Sequence, residues 1–338
     1  MRLYRLPKNG TVDSLELVEA EVPKPARGQV LVRMRAASLN YRDLMVASGR
    51  YALGDVPENL IPLSDGAGEV VEVGPDVTRV KPGDRVSPNF LQTWIGGDLE
   101  WHHNHSALGG SVHGVLSEYG LFDQESLVHL PSHLSFEEAA TLPCAALTAW
   151  NALFTGRAAG PGQTVLILGT GGVSVFALQF AKLAGARVIG TSSSDEKLER
   201  VRALGLDEGI NYRTTPDWER PARELTGSRG VDHVIEVGGP GTLSRSIQAA
   251  RIGGWIHLIG SGLAPGDAIN PAPAMRKGLV LRGIRIGSRE MFEAMNRAVE
   301  FHRLKPVIDR TFPFDEAKAA YRHLESQKHI GKVVISIS

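Results

Sequence analysis

Two hydrophobic periods divide the chain. In the first third, apolar and polar positions alternate: Gln29–Ser38 (QVLVRMRAAS) has a period of two, and Gly68–Val73 (GEVVEV) repeats it. Such alternation predicts half-buried strands. Gly74-Pro75-Asp76 and Lys81-Pro82-Gly83-Asp84 are turn sequences, the second leading into a short strand at Arg85–Ser87. Strands this closely punctuated by turns predict a small β-barrel. Near residue 130 the texture changes. Ser135-Phe136-Glu137-Glu138 is a capping box that opens a helix. From Gln163 onward, apolar runs of strand length alternate with helical periods. Strands are expected at Thr164–Leu168, Arg187–Thr191, Gly209–Asn211, Asp232–Val237, Trp255–Ile259 and Leu279–Gly283. Helices are expected at Val173–Ala184 and Asp195–Leu204, stopped by Gly185 and Gly205. Six strands with helices between them predict a doubly wound parallel sheet. A last helix (Met291–His302) and a terminal strand (Lys332–Ile337) follow.

The first candidate chemistry lies in the first strand-to-helix turn, Gly169-Thr170-Gly171-Gly172-Val173-Ser174. Glycines there let backbone N–H groups approach a pyrophosphate, and the helix N-terminus adds a favourable dipole. Ser174 stands where the third glycine of such a turn is usual, and a serine is small enough to keep the helix close to the sheet. The end of the second strand separates NAD from NADP, because NAD sites place an acid there for the ribose 2′-hydroxyl. This chain has Thr191-Ser192-Ser193-Ser194, with its acids later, at Asp195 and Glu196, and Lys197 nearby. Serines and a lysine favour a 2′-phosphate, so NADPH is the expected cofactor; Ser194 also suits a helix cap.

Composition narrows the partners. The 338 residues carry 37 Lys+Arg and 37 Asp+Glu, a formal net charge of zero, which gives no support to nucleic acid or a membrane surface. One cysteine excludes an intrachain disulfide and fits a reducing, cytoplasmic setting. MRLYRLPKNG has no apolar run, so no secretory signal is expected, and no run long enough for a membrane span occurs.

The motifs Ser38–Asp43 (SLNYRD), Pro62–Glu69 (PLSDGAGE), Val80–Val86 (VKPGDRV), Pro143–Leu153 (PCAALTAWNAL), the glycine turn and Ile210–Arg213 (INYR) together resemble the medium-chain dehydrogenase/reductase superfamily, in its zinc-independent quinone oxidoreductase branch. The resemblance runs along essentially the whole chain. It implies a GroES-like catalytic barrel (1–130), a Rossmann domain (131–290) and a C-terminal segment (291–338) returning to the barrel, with nicotinamide held in a cleft between domains. It implies that Lys197 and Tyr212 hold the 2′-phosphate. Val237, Gly238, Ile259, Gly260 and Ser261 would line the cofactor, and Gly287-Ser288-Arg289 would form a loop beside the nicotinamide. Asn40, Tyr41 and Thr148 would approach the nicotinamide from the barrel side, and Tyr51 matches an active-site tyrosine.

Zinc members of the superfamily carry a His-Glu pair where this chain has Leu63–Glu69, and a cysteine where it has Asn40; only Cys144 remains at the third ligand position. One thiol does not make a zinc site, so no metal is expected, and Cys144 is read as a small packed residue. The loop Leu91–Gly114 contains His102, His103, His105 and His113 without supporting acids or cysteines, and is read as a substrate lid in which Trp94 and Trp101 line an apolar pocket. Without a Lewis acid, only donors such as the Tyr51 hydroxyl and the Asn40 amide remain to stabilise developing charge. That favours acceptors that are already electrophilic: quinones and α,β-unsaturated carbonyls. Two alternatives stand beside this expectation. One is an alcohol dehydrogenase, either metal-free or metal-assisted through Asp65, Cys144 and a loop histidine. The other is a low-turnover NADPH-binding protein. Gly278–Ile286 (GLVLRGIRI) resembles the family's dimer edge, and a homodimer is expected.

Overall fold

The computed structural model describes residues 1–50, 56–260 and 269–338. The chain divides into two compact units, Met1–Leu147 with Ile286–Ser338, and Thr148–Arg285.

In the second unit, six strands form one parallel sheet: β1 (Thr164–Leu168), β2 (Arg187–Ser192), β3 (Glu208–Asn211), β4 (Val231–Glu236), β5 (Ala250–Leu258) and β6 (Val280–Gly283). Their spatial order is β3-β2-β1-β4-β5-β6, with every pairing parallel. Strands β1 and β4 are buried at every position, as central strands of a sheet covered on both faces must be. The helix after β1 is Gly172–Leu183, and the one after β2 is Asp195–Arg202. Gly185 and Gly205, both at positive φ, end these helices as the sequence predicts. The chain order of this sheet reverses beside β1, so the carboxyl ends of β1 and β4 border the crevice where an open α/β sheet binds its ligand.

The first unit is built on an antiparallel ladder. Gln29–Leu39 pairs with Asp65–Val73 on one side and with the C-terminal strand Lys332–Ser336 on the other, and Tyr119–Asp123 adds to it. Arg85–Pro88 and Leu127–His129 continue the sheet, and Ile308–Pro313 runs parallel to the C-terminal strand at the opposite end. The core joins Val30, Val32, Met34 and Leu39 to Tyr321, Phe314, Val333 and Ile335. The alternation in Gln29–Ser38 therefore marks a real strand, but both its faces are largely buried, because the C-terminal residues cover it. Ser135 caps its helix with the expected Glu138 box, though that helix is only Phe136–Ala139. Among the described residues, no helix is long and apolar enough to cross a membrane.

One feature of the parallel sheet carries a pH dependence. His233 on β4 and His257 on β5 are fully buried, with Nδ1 of the first 3.1 Å from Nε2 of the second. Burial lowers both below the usual imidazole range, to about 4 for His233 and about 3 for His257. The unfolded chain takes up these protons near pH 6.5, while the folded chain refuses them. The stability they supply is therefore complete above that value and is lost as pH falls toward the folded values. By pH 5 the loss is expected to reach about 2–4 kcal/mol. Asp43, raised to about 6 by burial in the first unit, acts with the opposite sign in the same window. The contribution of the pair is thus isolated by comparing denaturation at pH 7 and pH 5 in the native protein and in His257→Asn. The variant should show the shallower loss; equal losses would contradict the assignment.

Candidate active site

The glycine turn follows β1 directly. Gly169 has φ +72°, a conformation that favours glycine, and Gly171 caps the following helix with φ −75°. A Cβ built on either glycine would meet no atom within 4 Å, so the space above the turn is open. Thr170 is buried beneath the turn, while Gly172 and Val173 are half-buried. Ser174 is buried, and its hydroxyl donates to the Leu168 carbonyl at 2.6 Å. The serine thus ties the helix to the end of β1 without occupying the face of the turn.

At the end of β2 the three serines differ in role. Ser192 is buried and its hydroxyl accepts from the Ser194 N–H; Ser194 caps the next helix by accepting from the Lys197 N–H. Ser193 and Lys197 are half-buried beside them, and Tyr212 is 42% exposed. Asp195 accepts from the Asn211 amide at 3.0 Å, which holds its carboxylate at the edge of β3.

Sequence reasoning missed the anchor of the next turn. Glu236, at the end of β4, is 1% exposed, and its Oε1 accepts from the Gly238 N–H (2.8 Å), the Gly239 N–H (3.0 Å) and the Thr242 hydroxyl (2.6 Å). Ser246 donates to Oε2. The available signal was an acid directly before a glycine-rich turn, Glu236-Val237-Gly238-Gly239. Ile259 and Gly260 both donate their N–H groups to the Glu236 carbonyl. A Cβ at Gly260 would lie 2.2 Å from the Val237 carbonyl oxygen, so the two strand ends approach too closely for any other residue. Val237 is half-buried and Gly238 exposed. Thr148, near the start of the helix Leu147–Phe154, is 3% exposed. Ser261 and Tyr51 lie outside the described residues.

In the first unit, a buried polar cluster surrounds Asn40. This residue caps the helix Tyr41–Val46, and its N–H donates to Asp43 Oδ2 at 2.7 Å. Tyr41, the first helical residue, is 48% exposed. Lys332, 2% exposed, reaches in from the C-terminal strand: Nζ donates to Asn40 Oδ1 at 2.5 Å and to the Leu39 carbonyl at 2.6 Å. It also lies 3.7 Å from Asp65 Oδ2. Asp65 is fully buried and accepts from the Ser64 hydroxyl (2.8 Å) and the Cys144 N–H (3.2 Å). Burial raises its pKa, and Lys332 and the Asn40 amide oppose that rise. Burial, with Asp65 next to it, pushes the Cys144 thiol far up, so it stays protonated. The lysine fixes which way the Asn40 amide points, so that its buried Nδ2 is turned toward the Asp65 carboxylate.

The 91–114 segment is largely packed. Leu91, Trp94 and Ala107 form a cluster with Phe90 and Cys144, against which Ile286 and Met291 pack. Trp94 is 3% exposed and stacks on His103, whereas Trp101 is 74% exposed. The two tryptophans therefore do not line one pocket. Of the histidines, His102 and His103 lie ring to ring at 4.0 Å and His103 contacts the Thr93 hydroxyl, whereas His113 Nδ1 accepts from the Ile61 N–H. Among the described residues, no three His, Cys, Asp or Glu side chains are placed to hold a metal. At the last candidate loop, Gly287 lies against Leu147, and Ser288 caps the helix Arg289–Phe301. The Arg289 guanidinium is committed to Glu125 and Glu293.

Residues 26–132 match the alcohol dehydrogenase GroES-like domain, and residues 172–300 match the zinc-binding dehydrogenase family. A zinc-type alcohol dehydrogenase-like protein of Schizosaccharomyces pombe is 47% identical over 332 residues, covering 96% of each chain. The chain is a medium-chain dehydrogenase/reductase. A solved structure of a putative alcohol dehydrogenase from Sinorhizobium meliloti superposes on this dehydrogenase/reductase with a TM-score of 0.91 at 40% identity, covering 99% of each chain. A quinone oxidoreductase of Pseudomonas syringae does so with a TM-score of 0.84 at 27% identity, again over 99% of each. As a member of this family the protein is a NAD(P)-dependent oxidoreductase.

The residues fit one of the groups that the family uses and not the other. A nicotinamide dinucleotide fits: the open face above Gly169 and Gly171 is the cradle that a pyrophosphate needs. Catalytic zinc does not fit. The ligand positions hold the Asn40 amide and the Ser64-Asp65 pair, which leaves Cys144 as the one thiol, and the lysine Nζ 3.7 Å from Asp65 would repel a dication.

Proposed function

We infer that this dehydrogenase/reductase transfers hydride from NADPH to quinones or α,β-unsaturated carbonyls without a metal. The observation that carries this reading is Lys332, whose charged Nζ is bonded to Asn40 among the positions where zinc relatives place their ligands. Bound reduced nicotinamide supplies the hydride. The turn at Gly169–Val173 holds the pyrophosphate through backbone N–H groups, and Glu236 keeps the adjoining turn rigid. The Asn40 amide, oriented by Lys332, serves as donor to the oxygen that gains charge by turning its N–H from Asp65 to the substrate. One preorganised donor is worth about 3–4 kcal/mol, enough where product charge is delocalised but less than the polarisation a plain ketone requires. A second reading, alcohol dehydrogenase activity, is favoured by the names of the relatives from Schizosaccharomyces pombe and Sinorhizobium meliloti.

Ser193, Lys197 and Tyr212 support NADPH over NADH, since a charge-assisted bond to phosphate contributes about 1.5–3 kcal/mol. With 1,4-benzoquinone as acceptor, kcat/KM should favour NADPH, and Lys197→Ala should reduce that preference about tenfold while leaving NADH turnover unchanged. Equal use of both cofactors would remove the 2′-phosphate assignment. Cofactor binding with no oxidation by any quinone or enone would leave a binding protein.

Among the described residues, strand β6 is the outermost strand of its sheet, with Val280 and Leu281 exposed. These residues support a homodimer joined edge to edge.

A further inference from the structure

The amino-terminal edge of the parallel sheet carries a cavity that cofactor binding does not use. Its volume is about 520 Å³, and its lining includes Arg223, Arg229, Arg251, Arg276, Lys277 and Ile252. These residues come from the helix Glu219–Glu224, the turn before β4, the start of β5 and the end of the helix Ala272–Arg276. All lie where β4 and β5 begin, whereas the glycine turn and Glu236 lie where β1 and β4 end.

The charges here are not balanced. Arg229 and Arg251 share a single carboxylate, Asp232. Arg223 donates to the Gln248 and Ser228 carbonyls, and Lys277 Nζ donates to those of Ile247, Gln248 and Ala250. Carbonyls orient these cations without neutralising them. Lys277 is lowered by burial and then by the charge of Arg223, with no acid acting against either. Arg276 is exposed and has no hydrogen bond or ion pair among the described residues. Among the described residues, five cations thus face one carboxylate, in a cavity larger than one phosphate fills, and Ile252, 76% exposed, adds an apolar surface.

We propose that this cavity is a second anion site, which takes an organic polyphosphate of the nucleoside diphosphate class. The guanidinium groups receive the phosphates, as their forked donors suit, and Ile252 lies under the base. The role is binding, with no chemical step.

The test is calorimetric titration of the full-length protein with ADP at low salt and saturating NADPH, repeated with Gly171→Asp, whose cofactor turn is blocked. One saturable site should appear in both proteins. Arg276→Ala, which removes a side chain with no partner among the described residues, should weaken ADP about tenfold, and adding Arg229→Ala should weaken it further. Absence of saturable binding, indifference to Arg276→Ala, or loss of binding in Gly171→Asp would overturn the proposal. So would binding of a single-stranded oligonucleotide that tightens steadily with length while ADP does not compete, which would make the cluster a nucleic-acid surface.

Discussion

Replacing Lys332 with methionine is expected to destabilise the unit that contains the barrel by about 3–5 kcal/mol, the range found when one partner of a buried ion pair is removed. Asp65 is fully buried, and Lys332 is the cation that acts most strongly on it. Without the ammonium, the carboxylate must either remain charged in a dry environment or take up a proton. The second course limits the loss, so the lower half of the range is expected below pH 7. Asn40 Oδ1 and the Leu39 carbonyl also lose their donor. Adding Asp65→Asn to the methionine variant should restore most of the stability, because the second substitution removes the stranded charge. Denaturant unfolding of the native protein, both single variants and the double variant measures this coupling. Strict additivity would show that the 3.7 Å pair contributes no net coupling. The double variant should nevertheless remain slow, since the Asn40 amide is no longer held in place.

Gly171→Asp should have the opposite profile, with a large functional effect and almost none on the fold. At φ −75° the residue is not strained, and its Cβ meets no atom within 4 Å. It is also the N-cap of the helix Gly172–Leu183, a position that aspartate favours, so the thermal midpoint should hold or rise slightly. Yet the added carboxylate occupies the face where a pyrophosphate would lie, and repels it. Cofactor affinity should fall at least about 100-fold, equivalent to about 2.7 kcal/mol. A well-folded variant with native affinity would move the dinucleotide away from this turn. Gly260 provides the contrast: there any side chain meets the Val237 carbonyl, so even alanine should harm folding before it harms binding.

The parallel sheet was legible because its signals are local. Strand β1 is a short apolar run, TVLIL, bounded by turn residues, and Gly185 and Gly205 mark helix ends within a few positions of where the chain turns. The glycine turn was legible for the same reason. Lys332 was not. It begins a strand of ordinary composition, KVVIS, and its partners Leu39 and Asn40 lie 293 and 292 positions away in the chain. No local pattern distinguishes a lysine that will be buried from one that will be solvated. The strand Ile308–Pro313 and the helix Ala317–Glu325 also went unread, because their apolar faces are defined by the ladder on which they pack. Segment 91–114 reads as a lid, and no local pattern in it announces that Leu91, Trp94, His103 and Ala107 are buried. At β2, the run of serines hid a division of labour: Ser192 and Ser194 serve the backbone, and Ser193 remains half-buried beside Lys197.

In the proposed reaction Asn40, oriented by Lys332, takes the place of a metal. The most direct test is NADPH oxidation at 340 nm with 1,4-benzoquinone after exhaustive chelation, alongside elemental analysis of the same sample. Undiminished turnover at metal contents far below one equivalent is the predicted result. Activity that disappears on chelation and returns with stoichiometric zinc would contradict the claim.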